Sequence, residues 1–197
     1  MIYLEFIDWD RAIPVEVFRY MSPQEQWSEP GDEKVINIGR HKGIGGHPAY
    51  LSGWRIRGFG RLDEWDRHFK SPEAHADISE KATFLAMNFD YCALYDDLLL
   101  GPLPDGNLHL VENFEPADDL ADDSFLAHQR ERAADDGHAR LAVVLRKIGL
   151  LGPGPAAMAI WTFADFESLE PFARAVPSGD RRPASAGLYR NIGDELM

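Results

Sequence analysis

Two histidines stand on strand-like stretches where an imidazole can do proton chemistry. His41 ends KVINIGRH (34–41), and His109 lies within NLHLVENF (107–114). Imidazole both accepts and donates a proton near neutral pH, which makes each a candidate acid–base group. A third catalytic candidate is Tyr3 in IYLEFIDW (2–9); its phenol, or the amide of Asn37, would hold an enolate or phenolate oxygen. Glu5 would orient or charge-balance a histidine, and Trp9, Asn113 and Trp161 would line a pocket for the substrate. Each has a plainer reading. A strand histidine is equally explained as a hydrogen-bonded core residue, Glu5 as an ion-pair partner of Arg55 or Arg190, and the tryptophans as packing.

Other chemistries find less in the sequence. GIGG (43–46) is preceded by a strand but followed by another strand, so the helix N-terminus of a dinucleotide loop is missing. No HxH, HExxH or 2-His-1-carboxylate spacing occurs, which leaves only a metal site assembled across strands. Haem on an axial His41 or His109 stays open without a motif to support it, and the expectation is no cofactor. Ser52 and Ser124 lack the surroundings of a nucleophile elbow. Cys92, the single cysteine, excludes an internal disulfide and fits a reducing cytoplasm. The net charge of −13 argues against nucleic acid and anionic membranes as partners. Acidic runs such as EPADDLADD (115–123) read as a solvated face, since EF-hand spacing is absent. The longest apolar run is interrupted by Arg146 and Lys147, too short to span a bilayer, and MIYLEFIDWD has no basic flank and reads as a strand rather than a signal peptide.

The elements that would position these residues come in two sets. In WRIRGFGRLDEWDRHFKSP (54–72) and MAIWTFADFESLEPFARAVP (158–177) an alternating strand passes into an amphipathic helix, at an apparent offset of 104 residues. The first half reads as strands at 2–9, 34–41, 49–58 and 89–96, with helix from Pro14 and over 62–87, broken at Ser71-Pro72. The second reads as strands at 107–114, 140–147, 157–163 and 186–192, with helices over 118–137 and from the Asp165 cap to about 176. Both halves therefore read β-α-β-β-α-β, the ferredoxin-like order. A sheet with helices on one face must cover the other, and two halves can do so for each other around a cavity.

On this element order and repeat pattern the chain resembles the dimeric α+β-barrel superfamily, in a tandem form. Members include EthD-like, NIPSNAP-like and antibiotic-biosynthesis-monooxygenase-like proteins, polyketide cyclases, muconolactone isomerases and haem-binding relatives. The resemblance implies an α+β fold of two tandem ferredoxin-like repeats, 1–103 and 104–197, packed sheet to sheet as an intrachain barrel. Alternation then assigns Ile2, Leu4, Phe6, Ile36 and Ile38 to the helix side, and Tyr3, Glu5, Ile7, Trp9, Asn37, His41, His109, Val111 and Asn113 to the cavity. The expected function is histidine-mediated proton transfer on an aromatic or polyketide-like molecule, of lyase, isomerase or cyclase type. Cofactor-independent or haem-dependent oxygenation is an alternative, and a non-catalytic hydrophobic-ligand or stress-response protein is another. Exposed sheet edges leave a homodimer open.

Overall fold

Strand-forming alternation dominates the chain, and the computed structural model joins those strands into one closed antiparallel barrel. It describes residues 1–8, 32–45, 48–72, 88–115, 124–149, 151–175 and 182–191. Strands β1 (Ile2–Asp8), β2 (Glu33–Gly45), β3 (Tyr50–Arg55) and β4 (Asn88–Leu100) come from the first half, with helix α1 (Phe59–Phe69) after β3. The second half supplies β5 (Leu108–Phe114), α2 (Ser124–Asp135), β6 (Arg140–Lys147), β7 (Ala157–Phe163), α3 (Phe166–Arg174) and β8 (Ser185–Asn191). The helix expected from Pro14 and the later part of the 62–87 helix lie outside the described residues. Among the described residues, the complete β-α-β-β-α-β order is displayed by the second half.

Around the barrel the strands run β1-β3-β2-β8-β5-β7-β6-β4. Two antiparallel seams, β2 with β8 and β4 with β6, weld the halves edge to edge. Residues 43–45 of the GIGG stretch end β2 on the way to its antiparallel partner β3, with Gly43 at φ 68° and Gly45 at φ 105°, values that suit glycine. α3 begins as its sequence dictates: Asp165 accepts from the Ser168 backbone N–H at 2.8 Å, and Ser168 returns the bond in a reciprocal cap.

Two apolar clusters show which way the strands face. Ile2, Leu4, Phe6, Ile36, Ile38, Leu51, Tyr95, Val111, Val143, Leu145, Met158, Ile160 and Tyr189, drawn from all eight strands, form one buried cluster and so fill the barrel interior. An eight-stranded barrel is just wide enough for side chains to fill. The second cluster packs Leu108, Phe114, Ala159, Trp161 and Leu188 against Phe125 of α2 and against Leu169 and Phe172 of α3, outside the barrel.

The first-half faces are thus the reverse of the sequence reading. Ile2, Leu4, Phe6, Ile36 and Ile38 point into the barrel, while Tyr3 meets Trp65 of α1 edge-on at 5.3 Å. Tyr3, Glu5 and Asn37 therefore lie on the helix-facing side. The closed interior is the driest place in the fold and took the purely apolar rows. In β5 the expected assignment holds, with His109, Val111 and Asn113 inward and Leu108 and Phe114 outward. In β6, where alternation alone would put Leu141 with Val143 and Leu145, a register shift between Leu141 and Val143 sets Leu141 with Val144 outside and leaves Ala142, Val143 and Leu145 inside.

Candidate functional site

The outer face of the first-half strands carries a titratable cluster built in two rows. Register places Cys92, Glu5, Ser52 and Asn37 side by side across β4, β1, β3 and β2. The next row sets Tyr3 beside Trp54, and Trp54 beside Lys34. Lys34 shares this face with Asn37 because the β2–β3 register shifts between Lys34 and Ile36. Tyr50, two residues before Ser52, completes the group.

These side chains form one network. Lys34 Nζ donates to the Tyr50 hydroxyl at 3.0 Å, and that hydroxyl donates to Asn37 Oδ1. The Lys34 ammonium also lies 5.6 Å from the Tyr50 ring centroid and 5.3 Å from that of Trp54, within cation–π range. Ser52 hydrogen-bonds both Glu5 and Tyr50, and Trp54 hydrogen-bonds Glu5. Tyr50 and Ser52 are buried, whereas Tyr3, Glu5, Lys34, Asn37, Trp54 and Cys92 each keep some solvent access.

Burial decides the protonation chemistry. It raises the Glu5 carboxyl above its ordinary value, against the opposing pull of Ser52, the Lys34 charge and Trp54. It lowers the Lys34 ammonium to about 8, a fall that the Glu5 charge resists. Tyr3, Tyr50 and Cys92 are pushed up by the same desolvation and stay protonated at neutral pH. A carboxyl and an amine brought toward neutrality in one reachable cluster can accept and return protons, and the Lys34 N–H donors can receive a developing oxyanion.

The second half carries a counterpart 107 residues later, not 104. Glu5 pairs with Ser52 as Glu112 pairs with Ala159, and Tyr3 pairs with Trp54 as Leu110 pairs with Trp161. Both β2–β3 and β6–β7 shift register at matching places, and α1 and α3 both start on phenylalanine. The carboxylate–indole contact recurs, with Trp161 Nε1 donating to Glu112 Oε2 at 2.9 Å. Here, however, Arg132 of α2 closes the site. It binds Glu112 through two nitrogens at 2.8 and 3.1 Å and lies 4.9 Å from the Trp161 ring and 5.0 Å from the Phe172 ring. The Lys34 position is taken by Leu141. One half presents a partly open, titratable group and the other a sealed ion pair.

The residues singled out in the sequence are divided by the fold. Tyr3, Glu5 and Asn37 come together, though on the helix-facing side instead of in the barrel. His109 is fully buried inside the barrel, in register with Tyr189 and Thr162. Asn113 faces the same way and donates to Ser185 Oγ at 3.1 Å. His41 lies on the outer face four residues beyond Asn37, its ring 5.9 Å from Phe166 of α3. Trp161 belongs to the helix-side core, and Trp9 lies outside the described residues. Arg55 pairs with Glu33 at 3.2 Å and Asp97 at 3.7 Å, so the cation that acts on Glu5 is Lys34. Sequence reasoning missed Lys34, Tyr50 and Ser52. The signal was present for Lys34, a charge beginning an apolar strand, but its face depends on the bulge. Among the described residues no three His, Cys, Asp or Glu side chains are grouped to hold a metal ion, and no helix is long and apolar enough to cross a membrane.

Among solved structures the chain is similar to an anthrone oxidase-like protein at 14% identity and TM-score 0.59, over 96% of this chain and 90% of that one. It is similar also to a "putative monooxygenase" from Lactobacillus acidophilus NCFM, at 13% identity and TM-score 0.50, over 95% and 90% of the two chains. A mutant chlorite dismutase from Candidatus Nitrospira defluvii matches at 12% identity and TM-score 0.54, over 99% and 93%. No protein-family profile matches the chain, and no curated protein does. At such identities the likeness shows the fold alone, an α+β barrel closed by eight strands of one chain.

Proposed function

With that fold as premise, we propose that the protein is a small-molecule enzyme that works by proton transfer at the Glu5 cluster, in a lyase, isomerase or cyclase type of reaction. The observation that carries this reading is the Glu5 carboxyl, raised by burial yet still reachable, in one network with Lys34, Ser52, Tyr50 and Asn37. Glu5 takes a proton from an activated C–H or O–H group. Lys34 holds the oxygen on which charge develops, and the Tyr50 hydroxyl, itself fixed by Asn37, orients the Lys34 nitrogen. Trp54 and Tyr3 supply apolar walls, which suits a hydrophobic or aromatic substrate. Proton transfer thereby moves from the histidines, favoured by sequence, to a carboxyl.

Oxygenation is a second reading, supported by the fold likeness to a "putative monooxygenase". The same deprotonation would give an electron-rich carbanion or phenolate for dioxygen to attack. Haem does not fit the two candidate axial ligands. His109 is enclosed by the barrel core, and His41 is 7% exposed with its ring against Phe166, so neither offers an open coordination face. We read the chain as two fused repeats, 1–103 and 104–197, in which the first half does the chemistry and the second is sealed.

The test is proton–deuterium exchange of enolisable aromatic ketones and substituted phenols in deuterated buffer, followed by NMR. The wild-type protein should catalyse exchange in at least one compound of the panel. Glu5→Gln should lower that rate by about 10²–10⁴-fold, the usual contribution of a positioned base. His41→Ala and His109→Ala should leave it within about threefold in folded protein, given their distance from the network. Full activity of Glu5→Gln overturns the assignment.

A further inference from the structure

The second-half site shows what a purely structural counter-ion looks like in this fold. There a guanidinium from a helix seals the buried carboxylate, and the strand position equivalent to Lys34 is the apolar Leu141. A guanidinium stays charged and is no nucleophile. The first half differs by placing a primary amine on the strand itself, between two aromatic rings, with a carboxyl and a phenol beside it. Neutralising Glu5 does not require a lysine, since an arginine does that task in the other half. The exchange has chemical content only if the amine is used as an amine.

We propose that Lys34 is a nucleophile that forms an imine with aldehyde or ketone substrates, with Glu5 and Tyr50 as its proton partners. The proposal rests on reading this cluster as a proton-transfer site and names its substrate class: hydrophobic carbonyl compounds. Donation of one N–H to the Tyr50 hydroxyl at 3.0 Å orients the nitrogen, whose lone pair attacks the carbonyl carbon. The C–N bond forms as the C–O π electrons move onto oxygen, which takes a proton from the Glu5 carboxyl. The carbinolamine then loses that oxygen as water. One of its hydrogens comes from the amine and one from Glu5, which leaves a protonated imine beside the Glu5 carboxylate. Amine, carbonyl and carboxyl give protonated imine, water and carboxylate, and no oxidant or reductant takes part. The protonated imine acidifies the neighbouring C–H, and the carboxylate left on Glu5 is the base that removes that proton. Burial also keeps the Lys34 amine far more often neutral near pH 8 than a solvated lysine.

Reductive trapping tests this directly. Benzaldehyde has no α-hydrogen, so its capture reports imine formation independently of proton abstraction. The native protein is treated at pH 8 with benzaldehyde and sodium cyanoborohydride, then mapped by peptide mass spectrometry. One benzyl group is expected on Lys34, at least about tenfold ahead of the exposed Lys42 and Lys70. Glu5→Gln should slow the capture, and Lys34→Arg, checked for folding by circular dichroism, should abolish it at this position. Labelling of Lys34 no faster than of Lys42 and Lys70, or its absence from Lys34, overturns the proposal. Capture at Lys34 in a protein that exchanges no α-proton would leave the amine chemistry standing and remove the proton-transfer reading instead.

Discussion

Replacing Lys34 with methionine should change the pH dependence of stability in a defined window. The native ammonium is held at about 8 against its ordinary 10.5. At about 1.4 kcal/mol per tenfold in proton affinity, burying that charge costs about 3 kcal/mol. Below pH 8 native and unfolded chains are both protonated here, and the native state bears the whole cost. Between pH 8 and 10.5 the native amine is neutral while the unfolded one is charged, so unfolding takes up a proton and rising pH stabilises the fold. Measured by urea unfolding, the stability of wild type relative to Lys34→Met should therefore rise by up to about 3 kcal/mol across that window. The tyrosines held above their ordinary range lower stability above pH 10 in both proteins, and the comparison largely cancels them. In a Glu5→Gln background the rise should begin at lower pH, because the carboxylate that supports the ammonium is gone. A difference constant within about 0.5 kcal/mol from pH 7 to 10 would refute the claim that Lys34 is desolvated.

The sealed site should respond differently. Arg132→Met leaves Glu112 buried without its two charged hydrogen bonds and should cost about 3–5 kcal/mol, whereas Arg132→Met combined with Glu112→Leu should recover much of it; calorimetry of both variants decides. Gly152→Ala should destabilise by about 3 kcal/mol or more, because φ is 101° and the new methyl meets the Cys92 carbonyl and Ala93; a loss below about 1 kcal/mol would contradict that geometry.

The element pattern was open to reading because it is local. The spans 140–147 and 157–163 match β6 and β7 residue for residue, and Asp165 caps α3 as expected. Gly43 and Gly45, at positive φ where β2 ends before β3, do fit a hairpin connection. The same local evidence gave the repeat offset as 104, because it aligned a glycine and the strand-to-helix passage without the hydrogen-bond register. Pairing supplies 107. Of the candidate residues, Tyr3, Glu5 and Asn37 gather on one face, while His41, His109 and Trp161 each stand elsewhere. Lys34 was passed over because its company across β3 depends on a bulge that alternation does not foresee.

By itself the sequence determined that there would be eight strands and which residues share a face within each regular strand. Those follow from side-chain period and turn chemistry, which act over a few residues. Only the tertiary structure decided which face is inside. In β1 one row is wholly apolar and the other mixed, and either could meet a helix layer. Closing the barrel makes its interior the most water-poor surface, so the apolar row turned inward and carried Glu5, Lys34 and their partners to the helix side.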